Sequence, residues 1–215
     1  VQGGELKKMK NIPIASVERV AKYIRCLKHL QKKGVEVVSS KKLAEHTQVT
    51  PEQVRKDLSY FGKFGKTGTG YNIKKTIKQL SNILKGRKNW NVCIIGAGAL
   101  GTALSRYQGF KDAGYNIVAL FDNDPDKIGK KIGNVEVYDI KKFNDITKKK
   151  DIKLTIIAVP SESIEEVEEY IAKSQIKGVL NFVPVTLNFN TKRKIATIDV
   201  DLAQKLYILS YLTKK

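Results

Sequence analysis

The feature that most constrains this chain is a glycine spacing in a particular setting. Val92-Cys93-Ile94-Ile95 is a short, continuous apolar run, as a strand buried on both faces requires. Gly96-Ala97-Gly98-Ala99-Leu100-Gly101 follows at once, and Leu104 and Phe110 sit on the helix that it opens. A second apolar run, Ile117 to Phe121, ends in Asp122, 21 residues beyond Gly101. A lone GxGxxG is a weak signal. Between a strand and a helix, with an acid closing the next strand, it is the setting that a dinucleotide-binding βαβ unit demands. Gly96 allows the turn. Gly98 lets the backbone approach a pyrophosphate, which the helix N-terminus faces. Gly101 allows the helix to pack closely on the strand. Asp122 can accept both ribose hydroxyls of an adenosine and would repel a 2′-phosphate. NAD⁺ or NADH is therefore the expected ligand, held by Gly96, Ala97, Gly98, Ala99, Leu100, Gly101 and Asp122.

Further apolar runs at about 135–138, Leu154–Val159, Val179–Phe182 and Ile195–Ile198 alternate with helical patterns near 139–147 and 162–174. That alternation predicts a doubly wound parallel sheet, a Rossmann domain. Ligands sit outside the C-terminal ends of such strands. Val159 and Pro160, and then Asn181, Phe182 and Pro184, are accordingly expected to line the ribose and nicotinamide sites. The segment Asp-Pro-Asp-Lys-Ile-Gly at 124–129 is similar to CoA-binding Rossmann domains, which keeps CoA as an alternative ligand.

The other half has a different electrical character. Residues 1–90 hold 21 basic and 6 acidic side chains, a net of +15 within a total of +19, whereas residues 91–215 hold a net of +4. A positive field on one domain favours a polyanion, nucleic acid first; a solvated, lysine-rich surface is the plain alternative. Ile14, Val17, Val20, Ala21, Ile24, Leu27 and Leu30 make one face of a helix. A short helix follows Ser39-Ser40. Thr50 can then cap the next helix, Pro51 suits its first turn, and Gln53 stands where a capping box places Glu or Gln. Val54, Leu58 and Phe61 turn inward, leaving Gln53, Arg55, Lys56 and Ser59 outward. This is a helix-turn-helix whose second helix can enter a major groove, with Arg and Gln reading bases and Lys and Ser holding phosphate. The stretch from Phe61 to Tyr71 holds four glycines together with Lys63 and Lys66, as a hairpin wing along a minor groove would. Ile73, Ile77, Leu80 and Leu84 form one more helix, and residues 85–89 read as a linker.

The remaining composition narrows the class. No apolar run approaches the roughly 18 residues of a membrane span, and no signal peptide is visible at the N-terminus, so a cytoplasmic protein without membrane partners is expected. Cys26 and Cys93 fit no metal spacing, and no metal is expected. Few residues remain after Val159 for a substrate domain. Both histidines, His29 and His46, lie in the basic half, so a proton donor for hydride transfer is not apparent and no catalytic residue is assigned. Asp201 to Leu212 is too apolar for a solvated tail and calls for a groove in its own subunit or in a partner.

Taken in order, Ile12-Pro13, Ser39-Ser40-x-x-Leu43-Ala44, Gln53 to Gly62, Phe64-Gly65, Gly70-Tyr71, Leu180-Asn181-Phe182-x-Pro184-Val185 and Val200 to Ala203 resemble the Rex family of bacterial NADH-responsive repressors over nearly the whole chain. The resemblance implies an α/β homodimer. A winged-helix DNA-binding domain would span 1–85, a Rossmann NAD(H)-binding domain 86–199, and a C-terminal helix swapped between subunits 200–215. It implies double-stranded operator DNA with inverted-repeat half-sites, bound when NAD⁺ dominates and released when NADH binds. Ser39, Ser40, Gln53, Arg55, Lys56, Ser59, Lys63 and Lys66 would face DNA. The family wing usually carries Arg where this chain has Thr67. Arg19, Tyr107 and Asp201 match positions that link nicotinamide state to domain orientation, with Asp201 expected to bond Tyr107 and Arg19. Leu202 stands where some members place an aromatic residue against the nicotinamide. A small NAD(H)-dependent oxidoreductase with a basic localising domain, or a sequence-independent nucleoid protein, is the competing reading.

Overall fold

The computed structural model describes residues 12–65, 69–85 and 89–214. The chain divides into two compact units, Val1–Lys88 and Asn89–Lys215.

The first unit contains helix α1 (Ile14–Lys32), strand β1 (Val37–Val38), α2 (Ser40–Thr47), α3 (Pro51–Phe61), β2 (Tyr71–Asn72) and α4 (Ile73–Lys85). The Thr50 cap forms where the sequence places it, and Ser39 caps α2 as well. Ser39 Oγ accepts from the Lys42 N–H at 3.1 Å and Thr50 Oγ1 from the Gln53 N–H at 3.1 Å, with Pro51 in the first turn of α3. Each such cap stabilises its helix by about 1 kcal/mol. Val20, Leu27, Leu30, Leu43, Val54, Leu58, Ile73 and Leu80 pack together as the core. The α1 stripe differs from its expected course. Ile14 and Ala21 are exposed, and Tyr23 is fully buried instead. An aromatic hydroxyl can be buried there because it donates to Asp57, itself fully buried.

The wing also departs from a simple hairpin. β2 pairs antiparallel with β1, more than thirty residues earlier, with Val38 opposite Tyr71. Gly65 and Gly70 both adopt positive φ, and a Cβ on Gly65 would run into the Gly70 carbonyl, so the loop closes on itself there. Lys66 and Thr67 lie outside the described residues, as does most of the expected linker.

The second unit is a seven-stranded sheet in the order β5-β6-β4-β3-β7-β8-β9, where β3 is Trp90–Ile95, β4 Tyr115–Asp122, β5 Lys131–Ile132, β6 Val135–Asp139, β7 Leu154–Ile157, β8 Gly178–Asn181 and β9 Ala196–Asp199. All neighbours are parallel except β5 and β6. From β6 to β9 this is the doubly wound dinucleotide-binding order, and it reverses between β3 and β7. One sheet face packs Cys93, Ile95, Phe121 and Ile157 against α7 (Phe143–Lys149) and α8 (Ile164–Lys173). The other packs Val92, Ile94 and Leu120 with Leu104 and Phe110. These two side chains lie on separate helices, α5 (Ala99–Ser105) and α6 (Gln108–Asp112), because the chain breaks at Arg106-Tyr107. Tyr107 is therefore the N-cap residue of α6 rather than part of the first helix.

The β8–β9 connection contains no helix, so the second face stays open over β7, β8 and β9. Ile117, Leu154, Leu180 and Ile198 line a groove of about 370 Å³ there. The last helix, α9 (Leu202–Leu212), is capped by Asp201, whose Oδ1 accepts from the Gln204 N–H at 2.8 Å. Its Leu206, Tyr207, Leu209 and Tyr211 are between 55 and 76% exposed. No described helix is long and apolar enough to cross a membrane.

Candidate functional site

In the first unit, Ser39, Ser40, Arg55, Ser59 and Lys63 line one concavity of about 600 Å³, floored by Leu58, Phe64 and Tyr71. The α2 cap places Ser39 and Ser40 at its mouth, and Arg55 reaches across from α3 to donate to Ser40 Oγ at 2.9 Å. Its other terminal nitrogen bonds Glu52 at 2.6 Å. Glu52 is a site neighbour the sequence reading passed over. It can hold Arg55 in pose, and a carboxylate at a groove can also accept from a cytosine amine. Ser59 donates to the Lys56 carbonyl at 2.7 Å, and Lys56 is exposed on the same helix.

Gln53 is a correction. It does not point freely outward, because its amide donates to Asp57 at 2.8 Å. Asp57 is the centre of a network that the sequence reading missed. Arg19 reaches it through two nitrogens at 2.6 and 2.8 Å, and the Tyr23 hydroxyl at 2.8 Å. Burial alone would push this carboxyl up; the bonds from Arg19, Tyr23 and Gln53 outweigh it and hold the pKa at about 2. Within its own unit Arg19 is engaged by Asp57, and within the other Asp201 caps α9.

In the second unit, Gly96, Gly98, Asp122, Val159 and Pro160 line a single cavity of about 270 Å³ at the strand ends. A Cβ on Gly96 would strike the Ala158 carbonyl, and one on Gly101 the Gly96 carbonyl, so both glycines serve packing. A Cβ on Gly98 would meet nothing of the protein, so its open side faces ligand space. Ala99 and Leu100 follow on the exposed start of α5. The Ala97 N–H donates to Asp122 Oδ2 at 2.7 Å and the Asp124 N–H to Oδ1 at 3.0 Å, which fixes the carboxylate against the glycine loop. Lys127, of the 124–129 segment, stands 3.5 Å from Asp122 and 3.1 Å from Asp124.

The Asn181 expectation is corrected. Its side chain is fully buried, with its amide nitrogen within 3.0 Å of the Val183 and Val185 carbonyls and of Asp199 and its oxygen accepting from the Val183 N–H. It folds the turn, and Phe182 and Pro184 lie outside the 270 Å³ cavity. Tyr107 is 60% exposed with its ring edge-on to Phe110, and Leu202 is 61% exposed. Burial pushes the Cys93 thiol up to about 12 and raises Cys26, so neither is a ready thiolate. Among the described residues, no group of three or more His, Cys, Asp or Glu could hold a metal ion.

Two family models match. "Putative DNA-binding protein N-terminus" covers residues 11–59 and "CoA binding domain" residues 87–185. The chain is 43% identical over 200 residues to a redox-sensing transcriptional repressor Rex of Desulforamulus reducens, covering 93% of this chain and 94% of that one. It is 42% identical over 200 residues to the Rex repressor of Carboxydothermus hydrogenoformans, covering 93% and 95%. Among solved structures it is similar to RSP in complex with β-NAD⁺ and operator DNA, with TM-score 0.87, 34% identity, and 94% and 92% of the two chains covered. RSP in complex with β-NADH gives TM-score 0.85 and 32% identity, with 94% of each chain covered. With its capped helix-turn-helix, its acid-closed glycine loop and this likeness along almost its whole length, the chain belongs to the Rex family of redox-sensing transcriptional repressors.

Proposed function

We propose that the protein is a cytoplasmic, non-enzymatic repressor that binds operator DNA as a homodimer when NAD⁺ dominates and leaves it when NADH binds. The observation that carries this reading is the likeness over 94% of the chain to one fold solved both with NAD⁺ and operator DNA and with NADH. The DNA contacts we assign are Arg55, Lys56, Ser59 and Lys63, together with Ser39 and Ser40 at the α2 cap. Gln53 belongs behind them as a support.

Dimer formation answers two exposures in the second unit: the uncovered sheet face and the uncovered α9. Both are apolar, and a second copy supplies each with the other's kind of surface. Two-fold symmetry then demands inverted half-sites.

In the nucleotide site, Asp122 receives the adenosine ribose while the Gly96–Gly101 loop receives the pyrophosphate. The nicotinamide end would reach toward Tyr107 and the partner copy's α9. Oxidised and reduced rings differ by one positive charge, and only differential affinity between the DNA-bound and released conformations can act as a switch. Exposed Tyr107 and Leu202 offer an apolar seat that favours the neutral ring.

The match to a CoA-binding model makes CoA the ligand to exclude. CoA carries a ribose phosphate, which the Asp122 carboxylate opposes. The test is a salt-controlled operator titration with NAD⁺, NADH and CoA side by side, since affinity without stated salt has no meaning. Release by NADH alone supports the reading. Release by CoA alone, or indifference to all three, overturns it.

A further inference from the structure

The 270 Å³ cavity is smaller than the roughly 300–1,000 Å³ of a pocket for a whole drug-sized ligand. It therefore houses one end of a dinucleotide, and Asp122 marks that end as the adenosine. Beyond Asp122 its walls are Ile140, Val159, Pro160 and Val167, a slot of apolar surface suited to a flat base. Two polar side chains interrupt this lining on the α8 side, Ser163 and Glu166.

Ser163 ends the 3-10 turn Ser161–Ser163 that runs straight into α8, and its side chain makes no capping bond. It is half-buried in the cavity lining. Glu166, one turn further on, is exposed, and Tyr170 lies near enough that its hydroxyl is pushed up first by burial and then by the Glu166 charge. A carboxylate only accepts hydrogen bonds, while a hydroxyl can donate or accept.

We infer that Ser163 and Glu166 read the edge of the purine and select adenine over an oxo-purine. Adenine offers an amine donor at its sixth position beside ring-nitrogen acceptors; hypoxanthine and guanine place an oxygen there. Glu166 takes the amine and repels the oxygen, and Ser163 serves a ring nitrogen. This rests on the dinucleotide reading above and adds a determinant of base specificity to it.

NADH and its hypoxanthine analogue, deamino-NADH, keep the same ribose, pyrophosphate and fluorescent ring. Titrated by that fluorescence against the full-length protein, wild type should bind NADH about tenfold more tightly, the worth of one charge-assisted hydrogen bond at a partly wet site. Glu166→Ala should bring the two affinities together mainly by weakening NADH. Glu166→Gln, whose amide can donate to an oxygen, should move the preference toward deamino-NADH. Wild type binding both equally, or a preference unchanged in Glu166→Ala, would overturn the assignment while leaving NADH binding intact. Failure of wild type to bind NADH at all would instead remove the dinucleotide reading, and this assignment with it.

Discussion

Asp57 offers the sharpest perturbation. Its carboxylate is fully buried between α1 and α3 and accepts four hydrogen bonds, two from Arg19 and one each from Tyr23 and Gln53. Asp57→Ala strands a guanidinium, a buried hydroxyl and an amide at once. Breaking one partner of a buried ion pair costs about 3–5 kcal/mol. A carboxyl held at about 2 instead of its ordinary 3.8 corresponds to about 2 kcal/mol by linkage, the smaller figure because it counts only the charge. A loss of about 3 kcal/mol shifts a urea midpoint by roughly 1–3 M. The single tryptophan, Trp90, lies in β3 of the second unit. Its fluorescence therefore follows that unit, while far-ultraviolet circular dichroism follows helices of both. Asp57→Ala should bring the helical transition to lower urea and leave the Trp90 transition in place. The pH dependence has a definite sign. The pKa is lowered on folding, so the stabilisation is complete above about pH 4 and is lost as pH falls toward 2. Asp57→Asn should lack that acid-dependent step. A helical transition within about 0.5 kcal/mol of wild type would refute the network's importance.

Two glycines should separate ligand space from packing. Gly98→Ala should leave thermal stability near wild type and weaken NADH binding at least tenfold, whereas Gly101→Ala, whose Cβ overlaps the Gly96 carbonyl, should lower the melting temperature by several degrees. The reverse pattern in a paired calorimetry and NADH titration would contradict the assignments. Arg55→Ala should lose about 1–3 kcal/mol of operator affinity and retain NADH binding; a gel shift with unchanged affinity would remove Arg55 from the readout.

Much of this molecule was legible in the chain. Most strands and helices followed from apolar periodicity, and the Thr50 cap formed as the residue type demands. The glycine loop and Asp122 met at the expected strand ends because the spacing and strand order leave them no other place. What stayed hidden were interactions across the fold. Asp57 sits on the apolar stripe of α3 with Val54, Leu58 and Phe61, and that misplaced acid was the available signal. Its partners are 34 and 38 residues away, however, and no local pattern names them. Asn181 ends its strand as expected, but a short polar side chain beside a turn can bond the turn or a ligand, and only geometry decides. Tyr107 was misplaced because residues 102–112 are helical in character on both sides of a break that nothing in the sequence marks. Glu166 is a charged residue in charged surroundings, and it stands out only once the cavity is formed.

The central claim is that one nucleotide and one DNA site report on the same two conformations. Linkage makes the coupling reciprocal, so the factor by which NADH weakens operator binding must equal the factor by which operator weakens NADH binding. NADH affinity measured with and without saturating operator, at fixed salt, tests this directly. The account expects weaker NADH binding on operator by the same factor that NADH costs DNA affinity, while equal NADH affinities in the two states would contradict it.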